Sequence, residues 1–228
     1  FLAMGMGIFS SCCSRVDTPA DTKYLPTFHE INFEGTEDFL KPDNLSLYVD
    51  YSTCMSMALQ TSPFFKAMIP SLTAATKSYY SIKGDSIKKE DGQVFTLLSS
   101  IQNTNYADIL TAAKNIVEGR SEGVLLTDGE FYEPTVAKSH VNDPYLKDVF
   151  SEWLKKGHDI YVIAEPYKEP YNGNVYDKKR FYFLFTDSRL PNNIYDRITQ
   201  CVDLRKYPDV DIYHMSVNHP TIMAEGTH

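Results

Sequence analysis

The hydrophobic and polar positions of this chain alternate between short apolar runs and segments with a helical repeat. Apolar runs predict five strands, which cover residues 45–49, 79–83, 124–127, 160–164 and 181–186. Apolar residues at offsets of three and four predict helices between or after these runs, over residues 55–69, 109–117, 144–156 and 193–204. This alternation is typical of an α/β fold, expected here as a doubly wound, mainly parallel sheet with helices on both faces.

Proline, glycine and capping residues mark the expected helix boundaries. Asp143 can cap the third helix, Pro144 fits its first position and Gly157 can end it. Pro63 is expected to kink or break the first helix, because proline cannot donate a backbone hydrogen bond. The last helix is expected to turn four side chains inward, namely Ile194, Ile198, Cys201 and Val202.

The connection between the last two predicted strands differs from the others because it has no helical repeat. Asn172 and Gly173 lie between two extended segments, and an Asn-Gly pair in this setting predicts a hairpin turn. The last strand is therefore expected to be antiparallel and to be reached through a long hairpin. Tyr167, Tyr171 and Tyr176 are candidate partner contacts, because tyrosine offers contact area at low entropic cost. The alternative is a solvated hairpin whose tyrosines are incidental among the 16 in the chain.

Composition narrows the class of protein. The chain has 228 residues, of which 43% are hydrophobic, and this is enough for a sizeable core in a globular protein. A formal net charge of -8 and a pI near 5.2 argue against nucleic acid as a partner, since proteins that bind phosphate backbones normally carry a basic face. The body of the chain has no run of 18 apolar residues, so membrane contact is expected only through a lipid anchor.

The first residues resemble the end of a bacterial lipoprotein signal. Residues 1–11 carry no charge, and Ser10 and Ser11 precede Cys12, as small residues do before a lipid-modified cysteine. Cys12 is the expected lipidation site, with the adjacent Cys13 leaving the position open by one residue. The expectation is a lipid-anchored protein of the bacterial cell envelope, either periplasmic or surface-exposed. The alternative is a disordered apolar terminus with two idle thiols.

Four segments follow from these patterns. They are a signal-peptide remnant over 1–13, a spacer and lead-in over 14–42, one domain over 43–205 and a C-terminal extension over 206–228. Whether the extension is truncated stays open. The spacer has the length and polarity that a lipid tether would need.

Neither the remaining cysteines nor the histidines indicate a metal centre of sulfur and nitrogen ligands. Cys54 and Cys201 are too few for a disulfide framework and are expected to be buried thiols. His214 and His219 are five positions apart, a spacing that fits neither a helical pair nor a zinc finger. Both histidines are expected at the surface.

Oxygen-bearing side chains follow two of the predicted strands. Asp50 and Ser52 come after the first strand, and Asp128 comes after the third. Thr104 opens the helical pattern that lies between these strands in the sequence. Ligands of open α/β sheets bind outside the carboxyl ends of the strands, and Mg²⁺ prefers oxygen ligands. These residues therefore predict a divalent-cation site at that edge of the sheet.

At these positions the sequence resembles the von Willebrand factor A domain family, also called the integrin I-domain fold. The metal-ion-dependent adhesion site of that family has an Asp-x-Ser-x-Ser segment, often followed by Met, then a separate Thr, then an Asp at a strand end. Asp50, Ser52 and Met55 match the first segment, Thr104 matches the second and Asp128 matches the third. Three segments in the family's order are more specific than any one of them alone.

The resemblance implies a Rossmann-like fold over about residues 43–205 and a bound Mg²⁺ or Mn²⁺. It makes Ser52 and Thr104 the expected direct ligands of the ion. It makes Asp50 and Asp128 the expected charge partners, which bind the ion directly or through water.

Cys54 departs from the family pattern because it occupies the place of the second serine. A thiol is a poor ligand for Mg²⁺, so the affinity of the site for the ion should fall. Other roles stay open for the matching residues. Asp50 and Asp128 could cap helices or hold loops, Ser52 could cap the first helix, and Thr104 could satisfy a backbone amide.

The leading functional hypothesis is a non-enzymatic protein-binding and adhesion module in which an acidic side chain of the partner completes the metal shell. A structural envelope lipoprotein with a degenerate metal site is the first alternative. A metal-dependent phosphohydrolase is the other alternative. It is disfavoured because no second acid follows Asp50 by two residues and no Gly-rich phosphate loop is present.

Overall fold

The computed structural model describes residues 40–52, 55, 61–74, 76–91, 106–129, 146–217 and 223–224. Cys12 and the whole expected signal remnant lie outside these residues, as does most of the spacer. Cys54, Thr104, Asp143 and Pro144 lie outside them too, so the expectations for these positions stay predictions.

Eight strands and four α-helices are found among the described residues. The strands are β1 (Lys41–Asp50), β2 (Thr76–Lys83), β3 (Ser86–Glu90), β4 (Ser121–Thr127), β5 (Asp159–Tyr171), β6 (Asn174–Thr186), β7 (Asp211–Ser216) and β8 (Met223–Ala224). The helices are α1 (Pro63–Ala74), α2 (Ile109–Gly119), α3 (Lys147–Lys155) and α4 (Ile194–Cys201), followed by a 3₁₀ turn, Leu204–Lys206. All eight strands form one mixed sheet in the order β3-β2-β1-β4-β6-β5-β7-β8.

Parallel pairing is confined to the centre of this sheet. β1 pairs in parallel with β2 on one side and with β4 on the other, whereas every other neighbouring pair is antiparallel. The α/β class is confirmed, but the sheet is less parallel than expected. The cause is β6, which returns through the hairpin and inserts between β4 and β5 instead of adding at the outside.

The hairpin between β5 and β6 has the turn that its Asn-Gly pair predicts. Asn172 and Gly173 have φ angles of 49° and 78°, and Tyr171 pairs directly with Asn174. Two consecutive left-handed residues make the turn whose twist matches the twist of the strands, which is why Asn and Gly are favoured there. The prediction of an antiparallel strand reached through a long hairpin is confirmed, although two further strands follow it.

Helices cover both faces of the sheet, as the doubly wound pattern predicts. Side chains of β1 alternate between the faces: Leu47 and Val49 belong to the cluster under α1 and α4, and Tyr48 belongs to the cluster under α2 and α3. The first cluster also takes in Phe64, Phe65, Met68, Leu72, Ile194 and Ile198 from its two helices. The second takes in Ile116, Val149, Phe150, Trp153 and Leu154. The sheet is therefore the middle of three layers.

Most helix boundaries follow the local chemistry of the sequence. Pro63 is the first residue of α1, and the Oγ atom of Ser62 caps that helix by accepting the backbone N–H of Phe65 at 2.9 Å. Gly157, with a φ angle of 79°, follows the end of α3 as expected. α2 runs through Gly119 instead of stopping before it, and Arg120 takes the left-handed position with φ 51°.

Several expectations need correction. Cys201 is exposed, because Val202 turns in from the extended segment after α4 and fills the space below that helix. His214 is buried, because it lies on β7 and pairs with the buried Asp159. β7 also extends the sheet beyond residue 205, where the domain was expected to end. Among the described helices, none has the length and apolar character needed to cross a membrane.

Candidate functional site

The two predicted strand-end aspartates lie at the same edge of the sheet. Asp50 is the last residue of β1, and Asp128 follows the last residue of β4. β1 and β4 are parallel neighbours, with Val49 paired with Leu126, so their carboxyl ends are adjacent. Both aspartates are buried. We call this edge the upper edge of the sheet.

The carboxylate of Asp50 organises the two strand ends. One oxygen accepts the backbone N–H of Ser52 at 2.7 Å, and the other accepts the Thr127 hydroxyl at 2.8 Å. The Thr127 Oγ1 atom in turn accepts the backbone N–H of Gly129 at 3.0 Å. This role of Thr127 was not predicted from the sequence. A signal was present, because Thr127 is the last residue of the predicted strand 124–127 and directly precedes Asp128.

Gly129 is required where the chain leaves β4. Its φ angle is +72°, and a Cβ atom there would lie 3.2 Å from the ring of Phe181. Any other L-residue would strain the backbone and press on that ring. The Thr-Asp-Gly segment therefore has a structural reason for its glycine that is independent of any ligand.

Ser52 has a polar atom with no partner. The side chain is 7% exposed, and its Oγ atom has no hydrogen bond within the described ranges. An unpaired buried hydroxyl costs about 1–3 kcal/mol, so such an atom calls for an explanation. Its place on a residue just after the end of β1 distinguishes it from Ser71, whose equally unpaired Oγ atom lies within α1.

Thr104 lies outside the described residues, so its place stays a prediction. The structure puts Asp50, Ser52 and Asp128 at two adjacent strand ends, and their role as ligands stays a prediction too. The chain is described again from Tyr106, which lies at the carboxyl end of β2. There the Tyr106 carbonyl accepts the N–H of Gly84 at 2.8 Å, and Gly84 pairs with Ala107. β2 is the neighbour of β1, so the segment from Tyr106 onward lies next to the Asp50 strand end.

The donor set suits a hard cation. Ser52 offers a hydroxyl oxygen, and Asp50 offers a carboxylate whose two oxygens accept hydrogen bonds from Ser52 N–H and Thr127. Within the described ranges, no three side chains of the His, Cys, Asp and Glu types cluster so as to hold a metal ion. A cation here would therefore depend on hydroxyl oxygens as well as on carboxylates.

A second polar cluster lies at the upper edge, where β5 and β6 leave the sheet. Glu165 is buried and accepts four contacts. Its Oε1 atom accepts the Ser62 hydroxyl and Arg180 Nη2 at 3.4 Å, and its Oε2 atom accepts the Tyr182 hydroxyl at 2.8 Å and lies 3.2 Å from Arg180 Nε. Burial, followed by the nearby charge of Glu165, raises the pKa of the Tyr182 phenol well above its usual value. Tyr182 therefore stays protonated and acts as a donor to Glu165.

Arg180 is the less satisfied member of this cluster. Its side chain is 2% exposed, and its Nη1 atom has no hydrogen-bond partner within the described ranges. The Tyr167 ring covers the guanidinium group, with 4.8 Å between the carbon Cζ and the ring centroid. Thr127 of β4 pairs with Phe181 of β6, so Arg180 stands one residue beyond this pair, next to the Asp128 strand end.

The hairpin continues beyond the sheet as a two-stranded ribbon. β5 pairs with β7 only as far as Ala164, whereas it pairs with β6 as far as Tyr171. Near the tip, Val175 and Tyr176 are 63% and 46% exposed, and they are the large hydrophobic side chains that are exposed in the described part of the chain. Tyr167 is half-buried over Arg180, and the Tyr171 side chain lies outside what the structure describes. A contact role for these three tyrosines stays a prediction.

Polar groups at the opposite edge of the sheet, which we call the lower edge, are closely paired. Glu122 accepts the Thr186 hydroxyl at 2.6 Å and the backbone N–H of Ile194 at 2.7 Å, and it pairs with Arg197 Nη2 at 2.8 Å. The other terminal nitrogen of Arg197 donates to the Asn192 carbonyl at 2.7 Å, which leaves Nε without a partner in the described part. Glu122 thereby fixes the start of α4 to β4 and β6.

Two aspartate–histidine pairs complete the lower edge. His158 Nδ1 lies 2.9 Å from Asp187, and His214 Nε2 lies 3.1 Å from Asp159. Arg189 also donates to Asp187 through its backbone and its guanidinium group. Burial acts to raise the pKa of both aspartates, but the hydrogen bonds that they accept outweigh it and hold both pKa values below their usual range. Each carboxylate is therefore a stable anion with its donors in place.

No protein-family model, curated protein or solved structure matches this chain. The likeness to the von Willebrand factor A family therefore rests on the three short sequence segments. The α/β class rests on the structure.

Proposed function

We propose that this chain is a non-enzymatic protein-binding module with a divalent-cation site at the upper edge of its sheet. The observation that carries the proposal is the buried Ser52 hydroxyl, which has no partner in the described part of the chain and belongs to a residue whose backbone N–H donates to the Asp50 carboxylate. A hydroxyl and a carboxylate at the end of a central parallel strand are the kind of ligands that Mg²⁺ or Mn²⁺ takes.

Each residue of such a site would have a different role. Asp50 accepts Ser52 N–H and the Thr127 hydroxyl, so it fixes the backbone that presents Ser52 and joins the ends of β1 and β4. Ser52 and Thr104 would supply hydroxyl oxygens, and Asp50 and Asp128 would supply negative charge. When bound, the cation would supply an open coordination position for an acidic side chain of a protein partner.

We also propose where in the cell the domain acts. A lipid anchor at Cys12 would hold the domain at the bacterial cell envelope, with residues 14–42 as the tether. The hairpin ribbon would then stand beside the upper edge, with Val175 and Tyr176 near its tip. Partner recognition at that edge would involve both surfaces.

One observation favours a second candidate, a structural envelope subunit with a degenerate site. Both oxygens of Asp50 already accept hydrogen bonds from the protein itself. The positive φ angle of Gly129 and its closeness to Phe181 explain the glycine without a ligand. A site with this geometry can hold two strand ends together without an ion. Cation binding by the purified chain decides between the two candidates.

Isothermal titration of the full chain with MnCl₂ tests the proposal. Ser52→Ala should weaken Mn²⁺ binding by about tenfold or more, since loss of groups that shape a metal site has effects of this size. Asp128→Asn should weaken it as well, because it removes a negative charge.

Ser71→Ala is the matched control, because it removes a buried and equally unpaired hydroxyl within α1. It should leave Mn²⁺ binding unchanged. Absence of Mn²⁺ binding by the unmodified chain, or equal effects of the two serine substitutions, would refute the cation site and favour the structural candidate.

A further inference from the structure

Hydrogen-bond donors and acceptors are unbalanced in the Glu165–Arg180 cluster. Several donors share the Glu165 carboxylate, and the Arg180 guanidinium group has more donors than nearby acceptors. Glu165 takes contacts from Ser62, Tyr182 and two nitrogens of Arg180. Three of these contacts are hydrogen bonds and the fourth, from Arg180 Nε at 3.2 Å, is an ion pair, so Glu165 has little acceptor capacity left among about four lone-pair sites. Arg180 has five N–H donors, and in the described part of the chain neither Nη1 nor Nε has a hydrogen-bond acceptor.

What this cluster lacks is an acceptor, preferably an anionic one. A buried cation without full pairing is costly, and a guanidinium group matches a carboxylate with two parallel hydrogen bonds. The Arg180 side chain is already buried from water. An anion that binds Nη1 would therefore not have to remove a hydration shell from the guanidinium group. Ser62, which shares Glu165 Oε1 with Arg180, is the N-cap of the twelve-residue helix α1. The positive end of that helix dipole adds to the attraction for an anion.

The neighbouring charges select the class of anion. Glu165 stands on one side of Arg180, and the Asp128 strand end lies one residue beyond the Thr127–Phe181 pair on the other side. A phosphate group carries a charge of about -1.5 to -2 at neutral pH and would be repelled more strongly than a carboxylate. A carboxylate carries a single charge, is planar and costs less to desolvate.

We propose that Arg180 is an anion subsite for a carboxylate, covered by the Tyr167 ring and adjacent to the candidate cation site. The source of the carboxylate is an acidic side chain of the protein partner, and this identification rests on the proposed function. The partner would then present two acidic groups, one to the cation and one to Arg180. Tyr167 lies on the hairpin ribbon and its ring covers the guanidinium group, so the carboxylate would have to displace this ring to reach Nη1.

Nuclear magnetic resonance of the arginine side chains in the full chain tests the subsite without the partner or a cation. The probe is sodium acetate, titrated in the presence of a chelator with sodium chloride holding the ionic strength constant. The Nε–H and Nη–H signals of Arg180 should shift and saturate, with half-saturation at about 1 to 50 mM for so small a ligand.

Two arginines serve as internal controls. Arg197 has protein acceptors for both terminal nitrogens, and Arg205 is an exposed arginine that pairs with Asp203 at the surface. The signals of both should fail to saturate. A linear shift of all three arginines, or no shift of Arg180, would overturn the subsite.

Arg180→Lys keeps the positive charge but removes the planar guanidinium group that can donate two parallel hydrogen bonds. It should raise the half-saturating acetate concentration at least tenfold. In this variant the ring signals of Tyr167 report the binding. If this variant does not fold, the titration of the unmodified chain still decides the question. Sodium phosphate is the competing probe, and half-saturation by phosphate below that of acetate would contradict a carboxylate subsite. Because the titration excludes divalent cations, its failure is distinct from a failure of the cation site.

Discussion

Two glutamate–arginine pairs occupy opposite edges of the sheet, and they differ in how completely they are paired. At the lower edge, Arg197 places one terminal nitrogen on Glu122 and the other on the Asn192 carbonyl. At the upper edge, Arg180 has Glu165 as its anion, and both Nη1 and Nε have no hydrogen-bond acceptor in the described part of the chain, whereas Arg197 leaves only Nε without one. Arg180 is also the more deeply buried, at 2% exposed against 20% for Arg197.

The difference separates a polar group whose arginine is held by protein acceptors from one that we propose receives a ligand. Glu122 joins β4, β6 and the start of α4, and both terminal nitrogens of its arginine have acceptors within the chain. Glu165 joins α1 to β6 through Ser62 and Tyr182, yet its arginine is left with spare donors. Burial of charge is common to the two edges, so incomplete pairing is the feature that points to recognition.

The largest expected effect is the loss of either glutamate. Glu165→Ala should lower the free energy of unfolding by about 3–5 kcal/mol, because it leaves Arg180 buried without its anion. Glu122→Ala should cost less, about 2–3 kcal/mol, because Arg197 is partly exposed and can turn to water. Urea unfolding followed by circular dichroism measures both.

The order of these two effects is the critical outcome. An equal or larger loss for Glu122→Ala would mean that the Arg180 pair is not the more dependent on its glutamate. The contrast between the two edges would then fail.

A smaller effect is expected for Thr127→Val, which preserves the shape of the side chain but removes its hydroxyl. One oxygen of Asp50 and the backbone N–H of Gly129 would each lose a partner in a buried place. The free energy of unfolding should fall by about 1–3 kcal/mol. Thr199→Val is the control, since its hydroxyl bonds at the exposed surface of α4, and it should change stability by less than about 0.5 kcal/mol. Equal values for the two variants would show that Thr127 does not join the strand ends.

The smallest effect concerns pH and tests whether the lower edge is held by charge. Burial acts to raise the pKa of Asp187, but hydrogen bonds from His158 and Arg189 hold it well below the ordinary value of about 3.9. A lowered folded-state pKa means that the stabilisation is fully present above the unfolded-state pKa and is lost as pH falls through the folded-state value. Urea midpoints of the unmodified chain and Asp187→Asn should therefore differ at about pH 5 and converge toward about pH 2. A gap that stays constant across this range would contradict charge pairing at Asp187.

Much of the layer architecture could be predicted from periodicity. The repeat of apolar residues located the cores of β1, β4, β5 and β6 and the buried faces of the helices, because burial on one or two faces leaves a regular trace in the sequence. The Asn172–Gly173 turn was predictable because its left-handed backbone suits few other residues. The strand Ser86–Glu90 was missed, since a short edge strand rich in lysine lacks that trace.

The order of the strands could not be predicted, because periodicity shows which residues are buried and not which strands pair. The insertion of β6 beside β4 depends on long-range contacts such as that between Val124 and Leu184. The strand-end position of Asp50 and Asp128 followed from the pattern, but the partners of Glu165 and Glu122 did not. Charged residues inside apolar strands give no sign of the donors that surround them until the fold brings those donors together.

The placement of β6 between β4 and β5 also constrains the order in which the chain can fold. Among the described strands, β5 does not pair with β1, β2 or β4, because β6 and β7 are its strand neighbours. Pairing of β5 with β6 across a two-residue turn is local and fast, whereas pairing of β6 with β4 must close a long loop. During synthesis, this edge of β4 therefore stays unpaired until β6, which follows β5 in the chain, has been made. Docking of the completed hairpin is the step that joins the two halves of the sheet.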